Sequence, residues 1–205
     1  MKKILSIISA SFLLFSATAK AEMTYGIGLM AGQVSTSGTE TEGSAADTSN
    51  RSKSIDEFFA GADVFIENET ANGYTFGVSY VPLDVEIGSG QRTDSGISSG
   101  TRKASAELSN LITLYGNYPI GSDGAYTVAG IHYTTVKTIE TLPNTTYGDE
   151  NIFGAMIGFG KKSGNSKFEL FYSDFQDISL SGNGGNGNKV DADADAITFR
   201  YSYGF

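Results

Sequence analysis

The sequence predicts an all-β chain that forms an eight-stranded antiparallel up-and-down transmembrane β-barrel. Three observations support this. Apolar and polar side chains alternate in eight segments of roughly ten residues each. Short and long connections alternate between these segments. The chain also has 26 Gly, 13 Phe and 11 Tyr against three Pro, a composition typical of short strands and tight turns.

The first residues have the features of a secretory signal peptide. Two lysines follow the first methionine, Ile4 to Phe15 is an apolar run, and Ala19-Lys20-Ala21 is a cleavage pattern. The run is shorter than the roughly 18 to 20 residues of a membrane-spanning helix, which argues against an uncleaved anchor. We therefore expect an exported chain with a signal peptide at 1–21 and one barrel domain at 22–205.

The composition excludes several classes of function. Removing the three lysines of the signal segment from 14 basic residues leaves 11 against 23 acidic residues, a formal net charge of −12. Nucleic acid is therefore not an expected partner. The chain has no cysteine and one histidine, which leaves little for thiolate metal sites or nucleophilic chemistry. We expect no cofactor, no catalytic residue and no protein-borne metal site.

The last strand segment shows the alternation most clearly. Its aromatic and aliphatic side chains share one face because successive strand side chains point in opposite directions; they are Ile197, Phe199, Tyr201, Tyr203 and Phe205. The same period of two marks the segments that begin at Tyr25 and Tyr74. The other predicted strands are Ile55 to Ile66, Ala106 to Tyr118, Tyr126 to Val136, Ile152 to Phe159 and Phe168 to Leu180. The pattern does not decide which face of 126–136 points inward.

Short and long connections alternate along the chain. Three are short and rich in the residues that tight hairpins need: Asn68 to Gly73, Gly121 to Gly124 and Ser163 to Ser166. Four are longer and polar: Ser35 to Lys53, Gly88 to Arg102, Thr138 to Glu150 and Ser181 to Lys189. A transmembrane barrel has this order, with short periplasmic turns and long extracellular loops.

The signal segment, the eight strands and the aromatic C-terminal segment together resemble the small OmpA/OmpX-like and opacity-type outer-membrane β-barrels. The resemblance covers the whole mature chain and implies a Gram-negative outer membrane, with its lipid and lipopolysaccharide as surroundings. It also implies that Phe205, with Tyr203 and Tyr201, is the signal read by the barrel-assembly machinery. The peptidoglycan-binding domain of larger members has no counterpart before the last residue, so that activity is not expected here.

Arg200 is the residue predicted to organise the barrel interior. At about 3.3 Å per residue it lies well inside the membrane span, where a buried cation needs a carboxylate partner. Glu169 on the adjoining strand and Asp63 on the second strand are the expected partners in a structural cluster; a gate or proton path is the alternative. Glu57 and Glu107 occupy the same polar faces. Aromatic side chains are expected to fill the remaining interior: Phe59, Phe65, Tyr115 and Phe171.

Asp191, Asp193 and Asp195 alternate with alanine in the outer part of the last strand, which puts three carboxylates on one side. They are candidates for a surface contact to Ca²⁺ or Mg²⁺ near lipopolysaccharide phosphates. The pattern is not an EF-hand loop, since Ala196 stands where the sharp turn needs glycine and Ser202 where a bidentate glutamate belongs. A solvated strand extension is the simpler interpretation.

His132 is the one candidate general base. Outer-membrane lipid A hydrolases pair a barrel-surface histidine with a serine two positions on, and this chain has Thr134 at that place. The sequence assigns neither an oxyanion donor nor an orienting acid. A hydrogen-bonded histidine that fills the interior is the favoured interpretation.

The sequence thus predicts a monomeric, non-enzymatic outer-membrane barrel with a structural or adhesive surface role. Its extracellular contacts are expected from the loops at 35–53, 88–102, 138–150 and 181–189. A narrow pore or small-ligand conduit is the alternative from a different class, and a lipid A-modifying hydrolase that uses His132 is a further one. A soluble periplasmic calycin-like barrel, apolar inside and polar outside, is the structural rival.

Overall fold

A computed structural model describes residues 22–44, 47–94, 100–141, 146–184 and 187–205. Its strands are β1 (Glu22–Ser44), β2 (Asp47–Glu69), β3 (Thr75–Val81), β4 (Val85–Asp94), β5 (Gly100–Pro119), β6 (Ala125–Glu140), β7 (Glu150–Ser163), β8 (Ser166–Phe175), β9 (Ile178–Ser181) and β10 (Lys189–Gly204). The predicted signal peptide at 1–21 lies outside the described residues. Within the described ranges, no helix is long and apolar enough to cross a membrane.

The strands form one antiparallel sheet that closes on itself. Neighbours follow the order β1, β2, β3, β5, β6, β7, β8 and β10, and β10 pairs back with β1. β4 continues the position of β3 beside β5, and β9 continues that of β8 beside β10. Ten strands therefore occupy eight positions, which confirms the predicted eight-stranded antiparallel barrel.

Tight turns close one end of the barrel, here called the short-turn end. The link between β7 and β8 is Gly164-Asn165, with Gly164 at a φ of 59°. A positive φ is unfavourable for other residues, so glycine allows the two-residue hairpin here. The amide N–H of Phe205 donates to the Tyr25 carbonyl at 2.8 Å, which ties the last residue to β1 at the same end.

At the opposite end, here called the hairpin end, two of the four predicted loops are mostly strand. β1 and β2 stay paired up to the rung Ser44–Asp47, so the expected loop at 35–53 is a long β-hairpin. β4 and β5 likewise pair up to their last rung and absorb much of 88–102. The sequence pattern missed these extensions because a hairpin with polar residues on both faces has no apolar alternation to mark it.

Two strand positions are broken in the hairpin-end half. Pro82-Leu83-Asp84 separates β3 from β4, and Gln176-Asp177 separates β8 from β9. The strand predicted from Phe168 to Leu180 is therefore interrupted at Gln176-Asp177, and its second part is β9, which pairs with β10 as β8 does. Proline lacks the N–H that a ladder needs, so Pro82 is a natural place for the first break.

The first break opens a gap in the hydrogen-bonded ring. β2 pairs with β3 only from Val64 to Glu69, and the described part of β4 pairs with β5 alone. Beyond the rung Val64–Tyr80, β2 and β4 therefore run side by side without a ladder. The wall is fully hydrogen-bonded in the short-turn half and interrupted between β2 and β4 in the other half.

Side-chain exposure shows which residues of each strand face outward and which face the lumen. Large apolar side chains point outward, as Phe58 (83 % exposed) and Phe159 (67 %) show, whereas Asp63 and Arg200 are buried inside. This apolar-out, charged-in pattern is the opposite of the calycin-like rival. The structure also settles the face left open for 126–136, whose inward residues are Tyr126, Val128, His132, Thr134 and Val136.

Inward glycines make room for aromatic rings on neighbouring strands. A Cβ at Gly26 would lie 2.5 Å from Cζ of Phe65, and one at Gly160 would overlap the Tyr126 ring. Glycine within a strand marks such close approaches. The glycines therefore seat the rings that fill the short-turn half of the lumen, while an aliphatic cluster fills the hairpin-end half: Val34, Val85, Ile87, Leu108, Val136, Ile152, Phe175, Ile178 and Leu180.

Candidate functional site

The structure brings Arg200, Asp63 and Glu169 together inside the barrel. Inward positions on β10, β2 and β8 carry these three residues. The guanidinium donates from Nε and Nη2 to the two Asp63 oxygens at 3.0 and 2.7 Å, and from Nη1 to Glu169 Oε2 at 2.6 Å. Asp63 and Glu169 are 1 % and 3 % exposed. Such a two-pronged contact is the strongest arrangement that arginine makes with a carboxylate.

A second ion pair, which the sequence analysis did not identify, lies one layer closer to the short turns. Lys167 of β8 pairs with Glu67 of β2, and both side chains are buried. Tyr115 donates its hydroxyl proton to Glu67 Oε1 at 2.7 Å, and Tyr126 donates to Glu169 Oε1 at 2.9 Å. The two tyrosines satisfy the oxygens that the cations leave open.

These side chains form a continuous charged layer across the lumen. Arg200 stacks over the Phe65 ring, 5.0 Å from its centroid, and lies 6.0 Å from the Tyr115 centroid. Two buried cations face three buried carboxylates, so the layer carries a formal net charge of −1. Glu57 and Glu107, predicted on the same inner faces, are half-buried and are not partners of Arg200.

His132 lies inside the lumen, on β6, and is 4 % exposed. Its Nδ1 is 2.8 Å from Thr113 Oγ1, and its Nε2 is 2.9 Å from Ser173 Oγ. The ring stacks on Phe175 at 5.4 Å. The Thr134 hydroxyl donates to the Ser109 carbonyl rather than to the imidazole, so the pairing of His132 with Thr134 that the sequence offered does not form. The hydroxyl next to Nε2 is that of Ser173, which is buried inside the lumen.

Asp191, Asp193 and Asp195 lie on the outer face of β10. Alternate strand positions are about 6.6 Å apart, so the three carboxylates are strung along the strand rather than gathered on one point. Lys189 lies 2.8 Å from Asp191 Oδ1, and Ser179 Oγ donates to that oxygen at 2.8 Å. The hydrogen bonds from Lys189 and then Ser179 hold the pKa of Asp191 below its usual range.

No group of three or more acidic, histidine or cysteine side chains within the described residues is arranged to hold a metal ion. Asp195 on β10 lies directly opposite a second carboxylate, that of Asp174 on β8. Like charges in such a pair repel unless water surrounds them. The arrangement fits a solvated strand extension.

The aromatic residues of the chain end lie on the outside at the short-turn end. Tyr203 and Phe205 are 40 % and 62 % exposed, and their rings meet edge to face at 5.4 Å. Tyr201 is half-buried beside Phe168, at 5.0 Å between centroids. The three side chains form an aromatic strip along β10 that is accessible from the barrel exterior.

A cavity of about 60 Å³ lies between the charged layer and the aliphatic cluster. Its polar lining includes Arg200, Glu169, Ser79, Thr198 and the hydrogen-bonded set of Thr113, His132 and Ser173. Most of its wall is apolar and includes residues from both sides of the gap between β2 and β4: Phe59, Val85 and Ile87. No pattern in the sequence marks this space, which is lined by Val81 and Val85 on either side of the break after Val81.

Similar solved structures identify the fold. No family model matches the sequence, and no curated protein matches it. The chain is similar to the solved structure of the outer membrane protein OprG from Pseudomonas aeruginosa, with a TM-score of 0.51 at 14 % identity over 88 % of this chain and 96 % of that one. It is also similar to the outer membrane protein AlkL solved in DMPC bilayers, with a TM-score of 0.52 at 12 % identity over 93 % and 95 %. The chain therefore has the fold of small outer-membrane β-barrels.

Proposed function

We propose that this protein is a non-enzymatic β-barrel of the outer membrane, exported by a signal peptide at 1–21. The apolar outer wall between a short-turn end and a hairpin end supports this, because transmembrane barrels have that arrangement. Both similar structures are of outer-membrane proteins. In this setting lipid and lipopolysaccharide surround the wall, and the barrel-assembly machinery reads the strip formed by Tyr201, Tyr203 and Phe205.

The role we propose is structural and surface-exposed, with contacts made at the hairpin end. The observation that carries it is the charged layer around Arg200, which closes the lumen while the sheet continues far beyond it. A barrel with a blocked lumen acts on its surroundings through its exposed segments. The extracellular partner would meet the hairpins at 35–53 and 88–102 and the connections at 138–150 and 181–189.

Single-cysteine labelling of intact cells tests the location and the orientation. The chain has no cysteine, so Ser52→Cys at the hairpin end and Ser122→Cys at the short-turn end each introduce one thiol at an exposed position. A membrane-impermeant maleimide should label Ser52→Cys on whole cells and Ser122→Cys only after the outer membrane is opened. Labelling of both variants on intact cells, or recovery of the protein in the osmotic-shock supernatant, would contradict the proposal.

A small-ligand site in the lumen is the second candidate function. The cavity of about 60 Å³ and the neighbouring gap between β2 and β4 support it, because together they bring an apolar space next to an unpaired part of the wall. Methyl labelling of methionine tests it: Met30 and Met156 line the cavity, whereas Met23 is 55 % exposed on the outside. Titration with 1-butanol should shift the first two signals saturably and leave Met23 unchanged.

A further inference from the structure

The polar side of the lumen cavity has an unusual charge balance. Arg200 is the cation that lines it, and three of its nitrogens already donate to Asp63 and Glu169. One positive charge is therefore shared by two negative ones, of which Glu169 lines the cavity and Asp63 lies behind Arg200. The deeper pair of Lys167 with Glu67 is neutral as a unit, so the net charge beside the cavity stays negative.

This balance disfavours an anionic guest. A carboxylate that leaves water needs a counter-charge or several hydrogen bonds to offset its lost hydration. Arg200 is the natural counter-charge, but its two carboxylate partners would repel the newcomer at short range, where the effective dielectric constant is low. A fatty-acid-like anion is thus a poor fit although the cavity wall is apolar.

The side of the cavity offers a donor to an uncharged guest. Thr113, His132 and Ser173 form a hydrogen-bonded chain through the imidazole. A neutral imidazole has one donor and one acceptor nitrogen, so one hydroxyl donates to the ring and the other accepts from it. The hydroxyl that accepts from the ring still has its own proton, which it can donate to a guest in the cavity.

We propose that the cavity binds a short uncharged amphiphile, with its hydroxyl or carbonyl group on the Thr113–His132–Ser173 chain and its apolar part against the aliphatic wall. The inference rests on the lumen ligand site proposed above and names its ligand class. At about 10 to 15 Å³ for each water-sized group, the cavity of about 60 Å³ has room for about five non-hydrogen atoms, the size of a four-carbon alcohol.

Three probes of matched length test the ligand class: 1-butanol, n-butylammonium and butyrate. The folded protein in lipid bilayers, with methyl-labelled methionine, is titrated with each probe, and the Met30 and Met156 shifts give the affinities while Met23 serves as the internal control. We expect butanol to bind best and butyrate at least tenfold more weakly, with butylammonium between them. Glu169→Gln removes one negative charge from the cavity lining and should reduce the difference in affinity between butanol and butyrate.

Two variants assign the shifts to the cavity. Ala196→Leu adds bulk to its wall and should abolish the response to all three probes, whereas Asp191→Asn, on the outer face, should leave the responses as in the parent. Binding of butyrate or of butylammonium equal to or tighter than that of butanol would overturn the uncharged ligand class and leave the site itself standing. No saturable Met30 or Met156 shift with any probe would overturn both the site and the inference.

Discussion

Replacement of Arg200 by leucine should be among the most destabilising single changes in the barrel. The guanidinium donates three hydrogen bonds of 2.6 to 3.0 Å to Asp63 and Glu169, and leucine makes none. Both carboxylates would stay buried without their counter-charge. Removal of one partner from a buried ion pair costs about 3 to 5 kcal/mol. Because two carboxylates lose their partner here, we expect a loss near the upper value, about 5 kcal/mol in free energy of unfolding.

Urea unfolding in detergent or lipid measures this loss. A matched surface variant carries Asp191→Asn, Asp193→Asn and Asp195→Asn, which removes three exposed charges and should change stability far less, since exposed charges contribute little. A compensated variant combines Arg200→Leu with Asp63→Asn and Glu169→Gln. It has no buried charge left unpaired at this level, so it should recover much of the lost stability.

Two results would refute this reasoning. If Arg200→Leu unfolds at the urea concentration of the parent while the surface variant is less stable in metal-free buffer, Arg200 does not point inward. The strand phase of β10 would then be wrong as well. If the compensated variant is no more stable than Arg200→Leu alone, the loss comes from packing rather than from the stranded charges.

Three further predictions follow from the structure. Gly160→Ala should destabilise the barrel by about 1 to 3 kcal/mol through overpacking, because its Cβ would overlap a ring, whereas a Cβ at Gly116 meets its nearest atoms at 3.7 Å; urea unfolding of Gly116→Ala is the control and should match the parent. The lowered pKa of Asp191 means that its charged form adds stability above its ordinary titration range, and that this is lost as the pH falls through the lowered pKa. In an NMR titration Lys189→Ala should raise that pKa, and Ser179→Ala should raise it less; no change with either would show that these hydrogen bonds do not set it. In planar bilayers the purified protein should give no steady channels, because the charged layer blocks the lumen, and reproducible unitary currents would show that it does not.

The period of two was enough to predict the barrel and the inward set of Arg200, Asp63 and Glu169. A strand has only two faces, so one clear run of outward aromatics assigns every other residue in it. The pair of Lys167 and Glu67 was missed because the predicted strands stopped one residue short of each. An error of one residue at a strand end therefore concealed a buried ion pair.

Other features depend on contacts that a single sequence does not display. The hairpin beyond Ser35 has polar residues on both faces, so nothing in its composition separates it from a loop. The break at Pro82 was visible as a proline, but its consequence was not. Val85 and Ile87 of β4 pack in a cluster whose other members come from distant parts of the chain, and a single sequence does not display such contacts.

The gap between β2 and β4 and the lumen cavity are best understood as one feature. Phe58 points outward on β2 beside this gap, two residues from Asp56, and is 83 % exposed, so the gap lies at the height of the apolar outer wall. Backbone N–H and C=O groups without a ladder partner cannot be satisfied by lipid. Two carbonyls of β4 have side-chain partners instead: Thr36 Oγ1 donates to the Ile87 carbonyl at 2.7 Å, and Lys53 Nζ donates to the Ser89 carbonyl at 3.1 Å. Phe59 and Ile87 border both the gap and the cavity, so side chains of β1 and β2, rather than a ladder, hold β4 in place beside the cavity.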